Sequence, residues 1–217
     1  MKRISFNMRS GSKGQSFVEL SLVVLLLMEL VAGIAEFGVL LNRYLNLLDG
    51  VREAARLGAN YDPFADCTAG GTVDSDGVCS EYYQHAALEA KNVISPVLLN
   101  TTLGDDIVIS FFTVQGTPPS CVRTITRYPT YALGYSWSKD GDGNWLGTGT
   151  RNKSSQQSVA TITGQMTACA PPVSLLLVEV FYNYPQTLKA PFYAQFFPDP
   201  IPVYIDAIMP LKSVTIP

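Results

Sequence analysis

Residues 17–41 read FVELSLVVLLLMELVAGIAEFGVLL. Polar groups interrupt these 25 positions only at Glu19, Ser21, Glu29 and Glu36. Coiled as a helix, the run is roughly 37 Å long, more than the ~30 Å hydrocarbon core of a bilayer. A cleaved secretory signal has an apolar region of only about 7–15 residues, so the run reads as a membrane-spanning helix. Four basic side chains precede it (Lys2, Arg3, Arg9 and Lys13), with no acidic one among them, and the next basic residue is Arg43. The positive-inside rule then puts residues 1–14 in the cytoplasm and the rest of the chain outside the inner membrane, as a single-pass protein. A carboxylate in hydrocarbon is costly unless protonated, paired or near an interface. Glu19 is close enough to the cytoplasmic end to reach the interface. Glu29 is near the middle of the run. Glu29, Gly33 and Glu36 are spaced i, i+4, i+7 and share one helix face, which is expected to pack against partner helices.

Working back toward the N-terminus, the junction is Lys13-Gly14-Gln15-Ser16-Phe17-Val18-Glu19. A basic leader, a glycine, and a glutamate five residues later, directly before a long apolar helix, is the type IV prepilin pattern. Gly14 would let an extended backbone enter a protease site at the cytoplasmic face. Removal of the leader would free the amine of Gln15. In a filament the Glu19 carboxylate of one subunit could then pair with the amine of a neighbour, compensating two otherwise costly charges.

Three segments together are more specific. Gly14-Gln15-Ser16-Phe17-Val18-Glu19, Gly33-Ile34-Ala35-Glu36-Phe37-Gly38 and Arg52-Glu53-Ala54-Ala55-Arg56-Leu57-Gly58-Ala59 resemble the TadE-like pseudopilins, minor pilins of the tight-adherence (Flp) type IV pilus system. The resemblance is dense over residues 14–59 and faint beyond, where Val178, Val180, Tyr182 and Tyr184 are similar to an alternating strand near the family's C-terminus. Leu20 stands where the major pilins of that system carry Tyr, which favours a minor component. Glu29 lies outside the family's pattern. The resemblance implies cleavage between Gly14 and Gln15 by a prepilin peptidase, other pilins and pilus assembly proteins as partners, and a part in pilus assembly, initiation or adhesion.

Outward from the span, Leu41, Tyr44, Leu45, Leu48, Val51 and Ala55 recur at three- and four-residue spacing, predicting an amphipathic stalk that ends near Gly58 or before Asp62-Pro63. The chain thus divides into a basic leader (1–14), a transmembrane helix (15–41), a stalk (42–60) and an extracytoplasmic head (61–217). In the head, a helix is expected over Glu81–Val93. Strands are expected over Ile107–Val114, more weakly over Cys121–Tyr135 with an interruption at Pro129, then Val173–Tyr184 and Val203–Ile208. Residues 138–168 read as a long polar loop with short strands. The fold class is α+β: a long N-terminal helix, then a head with a small, mostly antiparallel sheet and helices on one side.

Four cysteines (Cys67, Cys79, Cys121 and Cys169) fall in the head, and four allow three pairings. Cys67–Cys79 and Cys121–Cys169 are the favoured pairs, in keeping with an oxidising compartment. Asp140-Gly141-Asp142-Gly143-Asn144 is a weak calcium candidate. An EF-hand would need Gly at Trp145 and Glu at Arg151. Asp74-Ser75-Asp76-Gly77 is weaker again. His85 is expected on a helix surface. Tyr128, Tyr131, Tyr135, Trp137 and Trp145 are expected mainly to pack and anchor turns.

The chain carries 15 basic and 18 acidic residues, a net charge of −3. A broad basic surface for nucleic acid is absent from this composition. Nor does the sequence hold a nucleophile elbow, a P-loop or a dinucleotide fingerprint, so no enzyme activity and no cofactor are expected. Loss of residues 1–14 would remove four basic side chains and no acidic one, leaving −7. Two other readings share the topology: a single-span anchored binding protein that never enters a filament, and a pseudopilin of a type II secretion machine.

Overall fold

The computed structural model describes residues 12–65, 67, 71, 73–117, 122–140, 153–166, 173–189, 197–212 and 214. One helix, α1, runs unbroken over Ser12–Gly58, 47 residues. Leu, Val, Ala and Met dominate its first half, and no proline interrupts it. Its end is closed by the Asn60 side-chain amide, which donates to the Arg56 carbonyl at 3.2 Å, and Pro63 follows shortly after.

The head is a five-stranded antiparallel sheet with helices against it. Strands β1 (Asp106–Thr117), β2 (Val122–Tyr128), β3 (Tyr135–Ser136), β4 (Val173–Tyr184) and β5 (Ile201–Pro210) pair in the order β2-β1-β4-β5, with the short β3 also on β1. The central β1–β4 register sets Ile109 opposite Val178 and Phe111 opposite Leu176. Alternation sends Ile107, Ile109 and Phe111 of β1, with Leu176, Val178 and Val180 of β4, to one face. There they meet α1 and a second helix, α2 (Ser80–Val93), in one buried cluster. Each large side chain buried there contributes about 1.5–3 kcal/mol. Phe111 is the hub of its aromatic part, stacked on Tyr128 at 4.7 Å and edge-on to Phe64 at 5.6 Å.

Val173–Tyr184 forms the expected strand residue for residue, and the other expected strands extend by a few positions. The Cys121–Tyr135 stretch is interrupted at Pro129 as expected, because proline lacks the N–H a continuous ladder needs, and it forms β2 and β3. Three expectations differ from the structure. Within the polar stretch 138–168, the described residues form not strands but a helix, α3 (Val159–Gln165), capped by Ser158, whose hydroxyl accepts from Thr161 N at 3.1 Å. Ile162 of α3 is buried with Phe112 and Leu177 on the second face of the sheet, so helices lie on both faces.

The third difference concerns α1. Its buried stripe is Leu47, Gly50, Val51, Ala54, Ala55 and Gly58, whereas Leu41, Tyr44 and Leu45 are exposed. The reason is close approach. A Cβ on Gly50 would sit 2.6 Å from Ile94 Cγ2 and 2.9 Å from Ile94 Cα; one on Gly58 would sit 2.7 Å from Leu176 Cδ2. Small residues therefore set the closest contacts of the head-facing side, beside Leu47 and Val51, and Leu41, Tyr44 and Leu45 are left on the other.

Candidate assembly site on the N-terminal helix

The span's own surface is the first component. Among the described residues α1 is the one helix long and apolar enough to cross a membrane, and only 6% of its apolar window is buried. A core helix of a soluble protein would be mostly covered. Phe17 is 73% and Met28 70% exposed.

At its N-terminal end, Gly14, Gln15 and Glu19 lie within the first turns of α1, all exposed. The Gln15 side-chain amide donates to Glu19 Oε1 at 3.2 Å, one turn along the helix. A Cβ on Gly14 would meet nothing within 4 Å. Gly14 therefore costs helix stability (about 1 kcal/mol relative to Ala) without a packing return among the described residues.

Farther along, Glu29, Gly33 and Glu36 do share a face, and that face continues into the head-facing stripe through Leu40, Leu47 and Val51. Glu36 finds its partners within the chain. Its Oε1 accepts from Tyr184 Oη at 2.8 Å and Thr187 N at 2.7 Å, and its Oε2 accepts from Leu188 N at 2.8 Å. Tyr184 is the last residue of β4, so this carboxylate ties the central sheet to the helix 148 positions earlier. The turn it holds is ordered further by Gln186. That residue's N donates to Asp199 Oδ1 at 3.2 Å and its side-chain amide to the Pro198 carbonyl at 3.1 Å. Lys189 closes the turn in the left-handed region at φ 46° and pairs with Asp199 at 3.2 Å. Gly33 is buried. Glu29 Oε2 is enclosed and makes no hydrogen bond among the described residues.

Just beyond Glu36, Phe37, Leu40, Leu41 and Tyr44 of α1 face Ile201 and Val203 of β5 across an open apolar groove of about 380 Å³. The large apolar residues misassigned to the buried stripe, Leu41 and Tyr44, line this groove.

The second face of the sheet holds buried carboxylates. Asp106 accepts from Ser136 Oγ (2.6 Å), Ser138 N (2.8 Å) and Lys153 N (3.0 Å). Glu179 Oε1 accepts from Gln156 N and Tyr204 Oη, each at 2.8 Å. Burial pushes both carboxyls above their ordinary range, against the pull of these donors. Their partners are the segments that cross this face, so both act as tethers for the polar insert.

Of the remaining candidates, Cys67 and Cys79 are joined in a disulfide. Cys121 and Cys169 lie outside the described residues, as do Asp142 and Asn144; Asp140 ends a one-turn helix, Trp137–Asp140. Asp74 Oδ1 accepts from Asp76 N and Val78 N, each at 2.9 Å, which shapes its own turn. Asp76 accepts from the Thr130 amide at 2.7 Å and from the Thr130 hydroxyl. His85 is exposed. Tyr135 stacks on Tyr83 at 5.7 Å, and Trp137 is buried under the Lys91 ammonium at 5.1 Å. The residues that sequence reading missed are Tyr184, Thr187 and Leu188. Nothing in their spacing marks them, because two of the three bonds to Glu36 come from backbone amides.

The family model described as TadE-like protein matches residues 14–56, covering the junction, the span and most of the stalk. No curated protein and no solved structure matches the chain.

Proposed function

With a TadE-like segment at residues 14–56 as the premise, we propose that this chain is a minor pilin of a Tad-type pilus. It is inserted in the inner membrane with residues 1–14 in the cytoplasm and the head outside. A prepilin peptidase cleaves after Gly14. The mature chain then joins other pilins through the exposed surface of α1 and takes part in pilus assembly, initiation or adhesion.

The observation that carries this reading is the division of labour along α1. Where α1 meets the head its closest contacts are made at Gly50 and Gly58, while most of its large apolar side chains from Phe17 to Leu45 stay exposed. A lone anchor needs that exposure only across the hydrocarbon, yet here it continues past Glu36 through Phe37, Leu41, Tyr44 and Leu45. Gly14 supports the same reading, since a Cβ there would meet nothing among the described residues, and a small residue suits entry into another protein's site. Among the described residues Glu19 accepts from the neighbouring Gln15 amide, an exposed bond that the freed amine of an adjacent subunit could replace.

Shearing and fractionation test the proposal. The protein is expected in the sheared pilus fraction as a minor species. Complete retention in the inner membrane of piliated cells would overturn filament incorporation and favour the anchored binding protein.

A further inference from the structure

Where the bilayer ends can be placed on the helix. The Glu36 carboxylate accepts from two backbone amides, Thr187 N and Leu188 N, that belong to an irregular turn. Irregular backbone facing lipid is excluded from hydrocarbon, because its remaining polar groups would go unsatisfied there. The turn must therefore lie at or outside the hydrocarbon surface, and Glu36 with it. The stretch left beneath, residues 17–35, is 19 positions, about 28 Å as a helix, which matches the hydrocarbon core. This is shorter than the 15–41 span read from apolarity alone.

The turn also reaches below its anchor. Leu188 is 51% exposed and shares an open apolar groove of about 430 Å³ with Val24, Leu27, Met28, Val31, Ala32 and Ala35. All six helix residues are on the membrane side of Glu36. The neighbouring Lys189 is held by Asp199 at 3.2 Å in a left-handed conformation. That arrangement suits an ammonium at the headgroup level beside a leucine directed into lipid.

We propose that the Tyr184–Lys189 turn is a second membrane contact, resting on the outer leaflet with Leu188 among the acyl chains, and that residues 17–35 form the hydrocarbon-spanning part of α1. The inference rests on the anchor reading above. It makes the head a body seated on the bilayer rather than one raised on a free stalk.

Tryptophan reporters in the full-length chain, reconstituted in phosphatidylethanolamine–phosphatidylglycerol vesicles, test it. Leu188→Trp, Leu26→Trp and Leu98→Trp are compared with the parent, whose two tryptophans set the background. Lipids brominated along the acyl chain are the quenchers. Leu26→Trp is expected to lose its added emission with mid-chain bromines, and Leu188→Trp with bromines near the headgroup. Leu98→Trp, an exposed head position at 85%, should lose none. Quenching at Leu26→Trp but none at Leu188→Trp would overturn the second contact and leave the anchor intact; a neighbouring protein would then be the occupant of the groove. No quenching at either site would overturn the anchor reading itself.

Discussion

Glu36 shows what a single side chain can decide. As sequence it is a carboxylate in an apolar run, and its distance from Glu29 and Gly33 points to a partner helix. In the structure its three acceptor bonds go to Tyr184, Thr187 and Leu188 of the same chain. Replacing it with Ala should release the turn by about 1–2 kcal/mol, the worth of one or two exposed charge-assisted bonds. Hydrogen exchange at the Thr187 and Leu188 amides is expected to quicken roughly tenfold, with the β1–β4 amides unchanged. Unchanged exchange at both turn amides would sink the clamp. Glu179 carries a pH prediction. Burial raises its carboxyl, so the unfolded chain ionises first as pH rises. Stability is therefore lost between the unfolded pKa of about 4.3 and the higher folded value, and is flat above it. Thermal melts of Glu179→Gln and the parent from pH 4 upward should diverge in the variant's favour across that window; parallel curves would refute it. Neither role was readable beforehand, since burial of Glu179 depends on the polar insert folding over β4.

At the scale of elements, the sequence was most legible where one period dominates. The alternating Val173–Tyr184 run is β4 with the same ends, and the 3.6-residue pattern of Glu81–Val93 is α2 extended by one residue. It was least legible where size rather than polarity chose the buried face. Hydropathy sees Leu41, Tyr44 and Leu45 and overlooks Gly50 and Gly58, although these two glycines bring Ile94 and Leu176 against the helix. Gly50→Val should therefore cost about 1–3 kcal/mol, because Ile94 Cα is backbone and cannot move aside as a side chain would. Denaturant unfolding of the full chain in detergent measures this, and a change below about 0.5 kcal/mol would show that α1 and α2 do not pack as described. The helix α3 was signalled only by its Ser158 cap, a cue easily lost in a stretch rich in Ser, Thr and Gln.

For the whole molecule, the anchor and the head are one mechanical unit. Val51, Ala54 and Ala55 enter the head's core from the same helix that carries the long apolar stretch, and Glu36 adds a second tie farther along it. Any pull on α1 is passed directly to the sheet. The residues proposed for assembly by contrast show few bonds among the described residues: a Cβ on Gly14 would meet nothing, and Glu19 accepts from Gln15. They stand out in sequence as a motif and contribute little to the fold. Glu19→Ala is expected to reduce incorporation into sheared pili far more than cleavage, as judged by the ratio of pilus to membrane protein. Equal incorporation would remove the amine-pairing role. Whether the chain is a pilin processed at its cytoplasmic junction is decided by its intact mass when produced in a host with active prepilin peptidase. A chain beginning at Gln15 is expected; a chain still beginning at Met1 would contradict the processing.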